Sequence, residues 1–174
     1  MNHPTILVTG NKGFIGSRVI SYLQEMGYNV IGINEDIRDI EALRPHFKNI
    51  EFVVHTAGKK YNAKDEKDYY TINVLGTKNV ADLCLENNSK LIHLSSSAID
   101  GPYGISKQRS QKLIEEYSTN KGLKTIILRL CSICSGKPKN GKRQYPLEKL
   151  VEDIENIIKV HNFNEFKLFT YPKT

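Results

Sequence analysis

The chain has 174 residues, 39% hydrophobic and 25% charged, with 25 Lys and Arg against 19 Asp and Glu. That length suits one domain, buries roughly two thirds of the unfolded surface without a metal or crosslink, and contains no apolar run near the ~20 residues of a membrane span. A disordered chain, a collagen-like repeat and a disulfide scaffold are excluded by composition, and Met1 to Gly10 has none of the charge, apolar core or cleavage pattern of a signal peptide, so the expected place is the cytoplasm.

Apolar runs alternate with amphipathic stretches from end to end. Thr5–Thr9 is a β-type run. Phe14–Met26 has helical spacing through Ile15, Val19, Ile20 and Leu23, with Gly27 placed to stop it. A strand is expected over Tyr28–Ile33, a short helix over Ile37–Phe47 and a strand over Phe52–His55. A long helix over Tyr69–Glu86 would turn Ile72, Leu75, Val80 and Leu83 inward. Then come a strand at Lys90–Ser95, a helix at Tyr103–Tyr117, a strand at Thr125–Leu130, a helix at Leu147–Val160 with Leu150, Val151, Ile154, Ile157 and Ile158 inward, and a strand at Phe166–Tyr171. Continuous apolar strands alternating with helices mean βαβ units. The expected fold class is α/β, a doubly wound parallel sheet (Rossmann fold) of about six strands with helices on both faces, in the order 3-2-1-4-5-6. No internal repeat or linker interrupts it, so residues 1–174 read as a single domain.

Thr9-Gly10-Asn11-Lys12-Gly13-Phe14-Ile15-Gly16 lies between the first strand and the first helix. Gly10 allows the tight turn, Gly13 lets backbone approach a pyrophosphate, and Gly16 lets the helix pack on the sheet. The helix start supplies unpaired N–H groups, so the phosphate loop extends over Gly10 to Gly16, with Asn11 and Lys12 included. The position after the second strand carries Asn34, where an acid would bind the ribose hydroxyls of NAD. Without that acid, and with Lys12 near, NADP is the preferred cofactor and NAD the alternative. Asp36 and Ile37 would flank the adenine.

Tyr103 and Lys107 stand four apart at a helix start and share a face. A cation beside a phenol favours the phenolate, which makes Tyr103 a usable general acid or base, and Lys107 can also hold a ribose hydroxyl. Leu94-Ser95-Ser96-Ser97 ends the fourth strand at the edge where such sheets bind ligands, and a hydroxyl there can polarise a carbonyl. Ser95 is counted with the cofactor residues.

In these motifs the chain resembles the extended short-chain dehydrogenase/reductases of the NAD-dependent epimerase/dehydratase type, which act on nucleotide sugars. The resemblance is carried by Thr9-Gly10-x-x-Gly13-Phe14-Ile15-Gly16, Asp36-Ile37-Arg38-Asp39, Val54-His55-Thr56-Ala57-Gly58, Asn73-Val74-x-Gly76-Thr77, Leu94-Ser95-Ser96-Ser97, Tyr103-x-x-x-Lys107 and Leu128-Arg129-Leu130, in the family's order. It implies Ser97, Tyr103 and Lys107 as catalytic triad, and Gly10, Gly13, Phe14, Ile15, Asp36, Ile37, Ala57, Gly58, Asn73 and Lys107 as cofactor residues. Lys60 resembles a lysine near the cofactor in some sugar epimerases. The short step from Ile33 to Asp36 is more similar to the dehydrorhamnose reductase branch, and the Gly-Asn-Lys-Gly loop to the GDP-fucose synthase branch.

Two segments are shorter than in that family. Only Ala98-Ile99-Asp100-Gly101-Pro102 separates Ser97 from Tyr103, and after the fifth strand the substrate domain is reduced to the 136–146 loop, with one helix and one strand following. The expected function is an NAD(P)-dependent oxidoreductase, epimerase or dehydratase acting on a nucleotide sugar or a small carbonyl or alcohol substrate. The alternatives are a non-catalytic NADP(H)-binding or regulatory module, or a half-site completed by a partner chain; the resemblance makes a homodimer a candidate. Lys137, Lys139, Lys142 and Arg143 would meet substrate phosphates. No nucleic-acid module and no membrane segment is read. The histidines His3, His46, His55, His93 and His161 are scattered, so no metal site is expected, and His55 and His93 read as core residues. Cys131 and Cys134 read as core thiols, and with Cys84 they are too few for a disulfide framework.

Overall fold

A computed structural model describes residues 4–60, 63–139, 144–160, 162–164 and 166–171. Its main sheet has six strands: β1 (Thr5–Thr9), β2 (Asn29–Ile33), β3 (Phe52–His55), β4 (Lys90–Ser96), β5 (Thr125–Leu130) and β8 (Lys167–Tyr171). Every pairing among them is parallel. Two further strands, β6 (Ser132–Cys134) and β7 (Gln144–Pro146), pair separately. They are too short to stand out as apolar runs.

The strand order is β2-β1-β3-β4-β5-β8, which corrects the expected 3-2-1-4-5-6. Between β2 and β3 the chain forms only α2 (Ile40–Leu43) and a 3₁₀ turn (Arg44–Phe47). Asp39 begins α2 by accepting the Ala42 N–H through Oδ1 at 3.1 Å. No strand forms outside β2, so β3 returns to the other side of β1, and β2 is left as an edge with Asn29 and Ile31 exposed. Consecutive connections therefore diverge at β1 and β3, and ligands of open parallel sheets bind beyond the carboxyl ends of such strands.

Alternation along the strands divides the core. Ile6, Val8, Val54, Ile92, Leu94, Ile126 and Leu128 face α1 (Phe14–Glu25) and α6 (Leu147–Val160). Leu7, Val53, Leu91 and Ile127 face α4 (Thr77–Glu86) and α5 (Gly101–Lys121). The five inward residues expected on α6 are all buried.

The long third helix is not uniform. α3 (Lys67–Tyr70) runs into a π-helical turn, Thr71–Gly76, and then α4. A π turn inserts a residue and rotates the buried face. Asn73, Val74 and Gly76 are buried, whereas Leu75, expected inside, is 40% exposed. Among the described residues no helix is long and apolar enough to cross a membrane. The three cysteines are free thiols; Cys84 is buried, while Cys131 and Cys134 are half-buried, so the latter two are not core thiols. Both lie past the end of β5, Cys131 just before β6 and Cys134 at its end.

Candidate functional site

The loop after β1 is shaped by close approach. Gly10 adopts φ 71°, and a Cβ there would stand 2.8 Å from Ala57 Cα. The Gly13 N–H closes the turn on Gly10 O at 2.9 Å. No side chain caps the first turn of α1, so its N–H groups are available to an anion. A Cβ on Gly16 would stand 2.3 Å from Gly10 O and 2.6 Å from Thr56 Oγ1. Neither atom has room to retreat, because Gly10 O holds Gly13 and Thr56 Oγ1 donates to Thr9 O at 2.7 Å. Gly16→Ala is therefore expected to cost about 2–3 kcal/mol by overpacking. The measurement is chemical denaturation, and an unchanged midpoint would contradict this packing.

Two cavities, each of about 360 Å³, open beyond the strand ends and share Ala57, Gly58 and Lys59. The one beside β2 is lined by Gly10, Asn34, Asp36 and Ile37, together with Glu35, Arg38 and Ile72. Arg38 grips Asp36 with Nε at 2.9 Å from Oδ1 and Nη2 at 2.5 Å from Oδ2, which holds the Asp36 carboxyl below its ordinary range. The Glu35 carboxylate accepts the Asn34 N–H at 2.9 Å and lies 3.1 Å from His46 Nε2.

The second cavity, over β4 and α5, is lined by Phe14, Ile15, Lys60, Ser95, Ser97, Tyr103 and Lys107, as well as Ala57 and Gly58. Ser95 is buried and gives its hydroxyl proton to Gln111 Oε1 at 2.7 Å, so its donor is spent on α5. The Ser97 N–H donates to Leu130 O at 2.7 Å, fixing the strand end. Lys107 is 7% exposed and donates from Nζ to Leu94 O at 2.7 Å. Burial pushes its ammonium down to about 8. The half-buried Tyr103 ring stands edge-on to Tyr69 at 6.2 Å. Lys60 Nζ lies 5.6 Å from the Phe14 ring centre.

The short connection between Ser97 and Tyr103 folds back across the start of α5. Gln108 Nε2 donates to Ile99 O at 2.7 Å, and a Cβ on Gly104 would stand 2.9 Å from the Ile99 carbonyl carbon. α5 thus begins at Gly101, two residues ahead of the expected start.

Asn73 lines neither cavity but joins their supports. Its Oδ1 accepts the Lys59 N–H at 2.7 Å, and its Nδ2 donates to Lys59 O and to Ser106 Oγ. Asn11, Lys12, Gly13 and Gly16 also lie outside the two linings. The Asn11 N–H donates to Ile33 O at 3.2 Å, and Lys12 is exposed on the turn. His55 and His93 are buried, stacked at 5.5 Å. Lys142, Arg143, His3 and His161 lie outside the described residues, as do residues 140–143 of the basic loop.

Residues 6–170 match the NAD dependent epimerase/dehydratase family. The chain belongs to that family. A putative UDP-glucose 4-epimerase of Methanocaldococcus jannaschii is 31% identical over 81% of this chain and 58% of its own length. A UDP-glucose 4-epimerase of Halalkalibacterium halodurans is 28% identical over 79% of this chain and 53% of its own. The chain therefore spans little over half the length of these relatives. Among solved structures, the UDP-glucose 4-epimerase of Thermus thermophilus in complex with NAD superposes with TM-score 0.80 at 18% identity, covering 95% of this chain and 76% of that one. The dTDP-4-dehydrorhamnose reductase of Bacillus anthracis in complex with NADP gives 0.82 at 17% identity, covering 99% and 75%. Both likenesses establish the epimerase/dehydratase fold.

Several lining residues escaped the motif reading: Glu35 beside β2, and Cys131, Ser132 and Ile133 past β5; Arg38 stood within a quoted motif but had no site role assigned to it. The signal for the three past β5 is positional, since they follow directly on the carboxyl end of a central strand.

Proposed function

We propose that this chain binds a nicotinamide dinucleotide, NADP in preference to NAD, and carries out oxidoreductase, epimerase or dehydratase chemistry in the cytoplasm on a nucleotide sugar or a small carbonyl or alcohol substrate. The reading rests on one observation: Ser97, Tyr103 and Lys107 line the same cavity as Phe14 and Ile15 of the glycine loop.

The glycine cradle fits the cofactor. A Cβ at Gly13 would stand 3.1 Å from Gly10 O and one at Gly58 3.1 Å from Asn73 Oδ1, so both positions are too tight for an easy side chain, and Gly58 lines both cavities without one. When bound, the cofactor supplies or accepts a hydride. Gly10, Asn11, Gly13 and Gly16 form the pyrophosphate turn at the uncapped start of α1. Asn34, Asp36 and Ile37 border the adenosine end, and Phe14, Ile15, Ala57, Gly58, Lys60 and Ser95 wall the nicotinamide end, with Asn73 holding that wall from behind. Lys107 has three N–H donors and gives one to Leu94 O, leaving two for a ribose hydroxyl and the phenol. Tyr103 moves a proton at its phenol oxygen, and Ser97 donates to the substrate oxygen. Lys137 and Lys139, both exposed, meet substrate phosphates.

The NADP preference rests on Lys12, on Asn34 in place of an acid, and on Arg38, which neutralises Asp36 within the same cavity. Isothermal titration is expected to give a lower Kd for NADPH than for NADH, with Lys12→Ala weakening NADPH alone by roughly 1.5- to fivefold, the size of one exposed charge contact. Tighter binding of NADH overturns the preference. A second reading, a binding module or a half-site completed by a partner chain or second copy, draws on the 58% and 53% spans of the relatives. Cofactor binding without turnover by the isolated chain, with turnover gained in an assembly, would favour it.

A further inference from the structure

We propose that His55 is a positioning residue that locks the cofactor wall at Ala57 to the π turn carrying Asn73, and through it to the catalytic helix; this rests on the cofactor reading above. His55 lies at the end of β3, 1% exposed, lining neither cavity. Its Nδ1 is 2.8 Å from Thr9 Oγ1 and its Nε2 is 3.0 Å from Thr77 Oγ1. Burial, reinforced by the Lys107 charge, pushes its imidazolium down to about 3, so the ring is neutral and carries one proton.

The position of that proton follows from its neighbours. The single Thr77 hydroxyl proton goes to Asn73 O at 2.7 Å. Thr77 Oγ1 can then only accept, so His55 Nε2 carries the proton and donates it. Nδ1 is left as an acceptor, and Thr9 Oγ1 donates to it. The Thr9 oxygen in turn accepts the Ala57 N–H at 3.3 Å. Every bond therefore points one way: Ala57 N–H to Thr9, Thr9 to His55, His55 to Thr77, Thr77 to Asn73 O.

Each end of this wire touches the site. Ala57 lines both cavities and meets Gly10 at close approach. The Asn73 amide holds Lys59 and donates to Ser106 Oγ, which donates to Tyr103 O at 2.7 Å. Thr9, Thr77 and Asn73 are as buried as His55 itself, so water cannot replace a lost partner.

His55→Phe keeps the ring stacked on His93 but removes both hydrogen bonds, whereas His55→Gln restores an acceptor for Thr9 and a donor for Thr77. The expected result is a cofactor Kd about tenfold higher in the Phe variant, the effect of one uncompensated buried hydrogen bond, and largely recovered in the Gln variant. In amide exchange, Ala57 and Lys59 should open faster in the Phe variant alone. For the unmodified protein, imidazole nitrogen NMR should show Nε2 protonated and Nδ1 bare from pH 5 to pH 9, roughly the range in which a neutral ring holds one tautomer. A proton on Nδ1, or a Phe variant that binds cofactor and exchanges like the parent, overturns the proposal. If the parent chain binds neither NADPH nor NADH, the cofactor reading fails, and the tautomer and exchange results still decide the wiring.

Discussion

Tyr103→Phe is expected to lower turnover by about a hundred- to ten-thousand-fold, the range for removing a positioned general acid or base. The substitution deletes one oxygen. The ring keeps its edge-on contact with Tyr69 and its place near the start of α5, so the fold and the cofactor cradle stay as they are. Loss of turnover should therefore far exceed any change in cofactor Kd, and the stability change should not exceed that of one hydrogen bond, about 1 kcal/mol. The assay is initial rate on a panel of nucleotide sugars and small carbonyl compounds with NADPH, paired with calorimetric titration. Full turnover in the Phe variant removes the tyrosine from the chemistry. A fall in Kd affinity equal to the fall in rate would make Tyr103 a binding residue instead.

Lys107→Met should lose comparable turnover and yet not lose stability. The ammonium is buried with no carboxylate partner among the described residues, and its Nζ donates to Leu94 O. Burial lowers it from 10.5 to about 8. Below pH 8 the folded chain must hold a desolvated charge, a penalty on the order of 3 kcal/mol for a depression of this size. Between about 8 and 10.5 the unfolded chain binds a proton that the folded chain does not, so this group's contribution to stability rises with pH across that window. Methionine fills the same volume, gives up one hydrogen bond worth about 1 kcal/mol, and removes the charge. The midpoint of denaturation at pH 7 should be equal or higher, and the rise in stability above pH 8 should flatten. A clear loss of stability at pH 7 would show that the ammonium is held by interactions stronger than its burial cost. Such a charge, retained against stability at the floor of a cavity, is the pattern expected of a functional group.

The same opposition between local rule and tertiary outcome marks the residues that were hard to read. The Tyr69–Glu86 segment has good helical spacing, but spacing assumes a constant turn. Gly76 packs against Ile37, where a Cβ would stand 2.6 Å from its Cδ1, and Asn73 must reach Lys59 and Ser106; the π turn meets both demands and sends Leu75 outward. Asn73 was nameable from its motif, but its part in joining Lys59 to α5 was not. Ser95, Ser96 and Ser97 are indistinguishable as letters. All three line the same cavity, and their local partners differ: Ser95 Oγ donates to Gln111 Oε1, Ser96 Oγ accepts the Ala98 N–H, and the Ser97 N–H donates to Leu130 O.

The amino-acid sequence by itself determined the alternation of strands and helices, the place of the glycine turn, the pairing of Tyr103 with Lys107 on one helix face and the family to which the chain belongs. These depend on residue spacing and on steric limits that act within a few residues. Only the tertiary structure decided the strand order, which turns on the absence of a strand between β2 and β3. It also decided that Glu35 and Arg38 face the same cavity as Asp36, that Cys131 leaves the core, and that His55 joins Thr9 to Thr77. The bonds of His55 span 46 and 22 residues of chain, and the cavity beside β2 brings residues 34–38 to Gly10, Ala57 and Ile72, so no local preference encodes which groups meet once these strands and helices pack together.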